Sequence, residues 1–202
     1  MSSRDDMSRV TLRAEPDGDD TLAAIYAHVT REAGGVPRLY QALGAAPHLL
    51  QGWIDFAWAL RDDARSSRAL RELAVLRCAQ LCGSDYVWRS HILLAVRAGV
   101  SEAKVAALAS AGGVDAAFEP VELAVLALTA ELVDGAVSDA TWHAAAAYLD
   151  EQMMVELVLT VSWYIHVARV VAALDIPLEG YHAAVPPLSE PGPRGGSSCA
   201  RS

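Results

Sequence analysis

Three cysteines in 202 residues are too few for a disulfide scaffold, so the expected setting is reduced and cytoplasmic. No cluster of Lys and Arg is present, and the formal net charge is −9. Phosphate contacts need a basic surface, so nucleic acid is not an expected partner. No run reaches the roughly 20 uninterrupted apolar residues of a membrane span. The longest, Val155 to Leu174, is broken by Glu156, His166 and Arg169, and no membrane association is expected. The N-terminus has no apolar h-region. Glycine-rich phosphate loops are missing, because Gly34-Gly35 and Gly112-Gly113 follow helical patterns rather than strands. No period-2 strand pattern survives a pass along the chain. His91, His143, His166 and His182 are scattered without ligand spacing, so neither a metal nor another cofactor is expected.

What is present is helix. Hydrophobic residues make up 53%, aromatics only 6%, and alanine is abundant. The fold class is all-α, one domain of about eight helices. Residues 1–19 are expected to be a flexible arm, 20–182 the helical domain and 183–202 a disordered tail that includes Cys199. Asp19, Asp20 or Thr21 caps a helix to Ala33, and Gly34 to Pro37 breaks it. A short helix covers Arg38–Leu43, and Pro47 opens one to about Arg61 with a Leu50, Trp53, Ile54, Ala57 stripe. The next covers Arg68–Leu81. Ser84 caps its successor, which stops at Gly99, and Ser101 caps a short helix closed by Ala111-Gly112-Gly113. Pro120–Val133 follows, then helices capped by Ser138 and Asp150, the last running to Leu174. Glu72-Leu-Ala-Val-Leu76 recurs as Glu122 to Leu126 and echoes at Glu156. Duplicated hairpins or a common Ala/Leu-rich string both account for it.

The stretch from Arg71 to His91 carries the chemistry. Glu72 interrupts the apolar stripe of one helix and His91 that of the next. A carboxylate in such a stripe needs a partner. Arg68 and Arg71 offer a structural one, and His91 offers one able to share a proton. Ser84, Val87, His91 and Ala95 fall on one face, with Trp88 beside it.

The string Gly83-Ser84-Asp85-Tyr86-Val87-Trp88-Arg89-Ser90-His91, preceded by Arg71-Glu72-Leu73, resembles the core of the carboxymuconolactone decarboxylase / alkylhydroperoxidase-D-like (AhpD-like) family. The resemblance runs from Pro47 through Gly99 and more weakly over Glu119–Glu179. In the family's peroxidase branch a Glu precedes a Cys-x-x-Cys, with a His four residues after the second Cys. Those cysteine positions fall here on Ser84 and Val87, and the Glu falls on Glu72. The chain is therefore similar to a branch lacking the cysteine pair. The resemblance implies an AhpD-like bundle, a pocket holding Glu72 and His91, and homo-oligomers such as dimers, trimers or hexamers. It does not support peroxidase chemistry, which needs a thiolate and a resolving thiol.

The resulting expectation is a small-molecule enzyme using Glu/His acid–base chemistry next to a carbonyl or lactone: proton transfer, decarboxylation or isomerisation. His91 acts as base or acid, Glu72 orients it, Tyr86 donates to an oxyanion, and Trp88 forms an apolar wall. Ser84, Val87, Trp163, Tyr164 and His166 complete the substrate-binding set, although Trp163, Tyr164 and His166 also suit an aromatic seam between helices or subunits. Two rivals stand beside it. One is a thiol-dependent hydroperoxide reductase using Cys78 and Cys82. The other is a non-catalytic oligomeric ligand-binding protein with Glu72–His91 as a buried latch.

Overall fold

The computed structural model describes residues 8–110 and 118–188, and the described residues hold nine α-helices and no strand. They are α1 (Asp20–Ala33), α2 (Arg38–Leu43), α3 (Pro47–Asp62), α4 (Arg68–Cys82), α5 (Asp85–Arg97), α6 (Glu102–Ala109), α7 (Pro120–Asp134), α8 (Asp139–Ala146) and α9 (Glu151–Leu174), followed by a 3-10 turn at Gly180–Ala184. The all-α reading holds: about eight helices were expected and nine are present among the described residues, the short one read at Arg38–Leu43 included. The expected close of α6 at Ala111–Gly113 lies outside the described residues.

Side-chain caps start the helices where polar residues precede apolar stripes. Asp19, Ser84, Ser101, Ser138 and Asp150 each accept a backbone N–H two or three residues into their helix. Asp20, Asp85, Glu102, Asp139 and Glu151 place negative charge on the first turns.

Helix α4 is the axis of the molecule and packs against α5, α7 and α9. Arg71 through Leu76, Cys78 and Ala79 are all buried, so α4 is covered on every side. Its Leu73, Leu76 and Ala79 join Val87, Trp88, Ala95, Val167 and Val171 in the main core. Ala74 joins Val125, Leu128, Met154, Leu157 and Val161 in a second. A third, under α1 and α3, holds Leu22, Ile25, Val29, Leu50 and Ile54. By length and composition alone α9 is apolar enough to cross a membrane, which the interrupted run in the sequence concealed. In the fold it contacts α3, α4, α5, α7 and α8.

Two boundaries differ from expectation. Residues 8–19 are docked rather than a free arm: Arg9 N–H and Ser8 Oγ donate to Leu174 O, and Arg13 N–H donates to Gln41 O. At the other end Val185 is buried and Leu188 N–H donates to Asp85 Oδ1, so residues 183–188 belong to the packed domain. Each of these contacts has a backbone group on at least one side, and composition gave no sign of them. Residues 1–7 and 189–202 lie outside the described residues.

The α4–α5 turn sets the site. Gly83 ends α4 at φ 66°, ψ 33°, where its N–H and that of Ser84 turn back to Gln80 and Ala79. A Cβ there meets no atom within 4 Å, so a substitution is penalised by the left-handed backbone alone. Gly83→Ala is expected to lower unfolding free energy by about 1 kcal/mol, read by urea denaturation.

Candidate functional site

The turn folds α5 back along α4 and brings Glu72 against His91. Glu72 is 2% exposed and His91 7%. Glu72 Oε2 lies 2.8 Å from His91 Nδ1. Its other oxygen receives Arg68 Nε at 2.7 Å and Arg68 Nη2 at 2.6 Å. Of the three partners weighed from the sequence, Arg68 and His91 are in place, one on each oxygen. Arg71 goes elsewhere, to Ser66 and the Arg61 carbonyl. Burial by itself raises the Glu72 pKa, but His91 and Arg68 outweigh it and hold the carboxyl below its usual range. An ionised Glu72 only accepts hydrogen bonds, so the His91 proton resides on Nδ1. In the neutral ring Nε2 then carries a lone pair. It has no hydrogen-bond partner among the described residues.

His91 lines a cavity of about 730 Å³ together with Tyr40, Trp53, Arg61, Tyr86, Trp163 and Tyr164. Helix geometry explains its double contact. At roughly 100° per residue, the α5 face toward the cavity is centred near Ser90 and Leu94. His91 sits at its edge, with Nδ1 reaching back to Glu72 on α4 while the ring borders the hollow. Tyr164 of α9 meets the imidazole edge-on, with centroids 4.7 Å apart. Burial, and then the charge of Glu72, raise the Tyr164 pKa, so its phenol stays protonated.

The remaining predicted residues are distributed differently. Val87, Trp163 and Tyr164 line the cavity. Tyr86 also lines it, but its hydroxyl donates to Glu179 Oε1 at 2.6 Å, which occupies the proton assigned to an oxyanion. Trp88 is no cavity wall. Two positions before Ser90 it is turned by roughly 160° to the far side of α5, and it is buried in the main core. Ser84 is the α5 N-cap and does not border the cavity. His166 is exposed and lies with Trp53 and Trp163 beside a second, apolar hollow of about 530 Å³. The echoes of the Glu72 string do other work: Glu122 pairs with Lys104, and Glu156 accepts the Arg65 and Ser66 N–H groups.

Cys78 is fully buried, and its thiol faces Val161 O. The neighbouring Cys82 thiol, and then burial, raise its pKa strongly, so it is no thiolate near neutral pH. Among the described residues no group of His, Cys, Asp and Glu is arranged to hold a metal ion.

Sequence reasoning missed Arg61, Tyr40, Ser90 and Glu179. The apolar stripe 84, 87, 91, 95 marks the α5 face toward α4, whereas the cavity face is rotated from it toward Ser90. Glu179 and His182 sit in a Pro- and Gly-rich stretch that carries no helical signal. His182 is nevertheless wholly buried. Its Nδ1 accepts Glu179 N–H at 3.1 Å, so Nε2 carries the proton and donates to Ser90 Oγ at 3.0 Å. Only neutral imidazole makes both bonds. Burial, and then the Arg89 charge, hold its pKa at about 4, against an ordinary value of 6.5. A depressed pKa means that the unfolded chain takes up the proton first. His182 is thus expected to contribute stability fully above pH 6.5 and to lose it as the pH falls toward 4. Urea midpoints across that window check this, and in His182→Gln the slope should be flattened.

The "Carboxymuconolactone decarboxylase family" model matches residues 47–131. No curated protein matches the chain. Among solved structures, an uncharacterized peroxidase-related protein from Silicibacter sp. TM1040 superposes with a TM-score of 0.75 at 14% identity, over 90% of this chain and 97% of that one. The debrominase Bmp8 in complex with 2,3,4-tribromopyrrole gives 0.72 at 17% identity, over 88% and 97%. An alkylhydroperoxidase AhpD core protein from Ralstonia eutropha JMP134, also peroxidase-related and uncharacterized, gives 0.64 at 15% identity, over 87% and 94%. At these identities the likeness is one of fold. Glu72 and His91 both fall inside the segment that matches the carboxymuconolactone decarboxylase family model, and the chain has an AhpD-like fold.

Proposed function

We propose that this chain is an enzyme that moves a proton at carbon next to the carbonyl of a small molecule, in a decarboxylation, isomerisation or dehydration. The observation that carries this reading is the 2.8 Å Glu72–His91 contact, which fixes the Nδ1 proton and leaves the basic Nε2 at the cavity. In the step itself Nε2 takes the proton of the carbon. The C–H electrons move into the carbonyl, and the oxyanion accepts a hydrogen bond from the Tyr164 hydroxyl, in place of the Tyr86 role expected from sequence. In a decarboxylation Nε2 first takes the substrate's carboxylic acid proton, the breaking C–C bond supplies the electrons, carbon dioxide leaves, and the imidazolium gives that same proton to the carbanion. Glu72 stays ionised throughout and balances the imidazolium charge. The fold likeness to a protein bound to a small brominated ring is in keeping with a small-molecule ligand.

The test is α-carbon exchange. The protein is incubated in D₂O with 2-oxo acids, 3-oxo acids and lactones, and deuterium incorporation is followed by NMR. Saturable incorporation supports the reading. Incorporation no faster than buffer across all three classes counts against it. The latch reading is favoured by one observation, that both Glu72 oxygens are already satisfied within the protein. It predicts no exchange and a cavity that still binds ligands.

A further inference from the structure

We propose that Arg61 is the anion anchor of the cavity, so that the molecule bound there is an organic monocarboxylate with its charge at Arg61 and its reacting carbon at His91. The proposal rests on reading the cavity as the substrate site. Arg61 lies in the last turn of α3, and its backbone is fixed by two other arginines: Arg71 Nη2 donates to its carbonyl at 3.0 Å and Arg68 Nη1 at 3.4 Å. Its side chain is left to border the cavity, among Tyr40, Trp53, Trp163 and Tyr164.

Among the described residues Arg61 makes no ion pair. The two acidic residues of the lining are engaged elsewhere. Glu179 accepts the Tyr86 hydroxyl and the Arg38 N–H, and Glu32 pairs with Arg31. Glu72 is held between Arg68 and His91. The half-buried Arg61 guanidinium faces an aromatic wall with no carboxylate paired to it among the described residues, so an anionic ligand gains charge-assisted hydrogen bonds there.

The hydroxyls of Tyr40 and Tyr164 likewise have no acceptor among the described residues. Burial raises the pKa values of both, so each is an O–H donor. The Arg61 fork and the Tyr40 phenol make a set of donors suited to carboxylate oxygens, which leaves the Tyr164 phenol to the oxyanion. One uncompensated cation balances one negative charge, which favours a carboxylate over a phosphate dianion. Arg97, the other guanidinium of the lining, is exposed and competes with water.

Trp53 and Trp163 report on the site. Their fluorescence is followed while wild-type protein is titrated with benzoate, and with benzamide as the uncharged isostere. The expected result is saturable quenching by benzoate at millimolar concentration, with benzamide at least about tenfold weaker. Arg61→Met should lose about tenfold or more of benzoate affinity, and Arg61→Lys, which keeps the charge without the fork, should fall between. Arg97→Met should stay within about threefold of wild type. Circular dichroism melts confirm that each variant is folded, and Arg61→Lys carries the test if Arg61→Met is not. Equal binding of benzamide and benzoate, benzoate binding unchanged in both Arg61 variants, or no carboxylate binding to wild type would each overturn the anchor. Benzoate binding that depends on Arg61, in a protein without isotope exchange, would keep the anchor and remove the acid–base reading.

Discussion

His91→Gln is expected to reduce α-carbon deuterium exchange by about 10²–10⁴-fold while leaving the fold intact. Glutamine retains an N–H able to face Glu72, so the buried carboxylate keeps a donor besides Arg68. What it lacks is a basic nitrogen toward the cavity. The loss should fall on the rate with the most reactive carbon acid found, and ligand affinity should change little. Circular dichroism and a melting curve, run beside the NMR assay, separate the two effects. Wild-type exchange rates in His91→Gln would mean that another group moves the proton. Tyr164 would not replace it, because its raised pKa keeps the phenol an acid rather than a base.

Glu72→Ala is expected to have the largest effect on stability, a loss of about 3–5 kcal/mol or roughly 10 °C in melting temperature. Arg68 is 32% exposed at its side chain and turns toward water when its partner goes. His91 has no such exit, since its Nδ1–H is left facing the space vacated by a carboxylate. The imidazole also loses the acceptor that selects its tautomer, so exchange should fall with stability. Glu72→Gln separates the contributions. Its single carbonyl oxygen serves His91 or Arg68 but not both, and its amide N–H groups face a donor whichever way it turns. A melting temperature for Glu72→Ala equal to wild type would show that the pair is not the buried tie its geometry describes.

Much of this molecule can be read from spacing. Helix caps are local, and Asp19, Ser84, Ser101, Ser138 and Asp150 all act within three residues of themselves. The meeting of Glu72 with His91 follows from one turn at Gly83 between two antiparallel helices. The walls are another matter. Tyr40, Arg61 and Tyr164 come from α2, α3 and α9, and periodicity on one helix does not say which helix faces it. A stripe also marks one face only, and α5 has two, so Trp88 was given to the cavity and Ser90 was overlooked. The docked ends at residues 8–19 and 183–188 depend on backbone hydrogen bonds that leave no trace in residue type.

The cavity draws its parts from two populations of residues. Glu72, His91 and Arg61 lie within residues 47–131, the segment that the family model matches. Tyr40, Trp163, Tyr164, Glu179 and Tyr181 lie before or after it. The proposed proton-moving pair and part of the cavity wall are thus encoded apart, and drift in the outer segments can retune what fits without touching that pair. Grafting 34–43 and 176–188 from a relative onto this core is the corresponding engineering route: selectivity should travel with the graft, and the intrinsic rate should stay with the host.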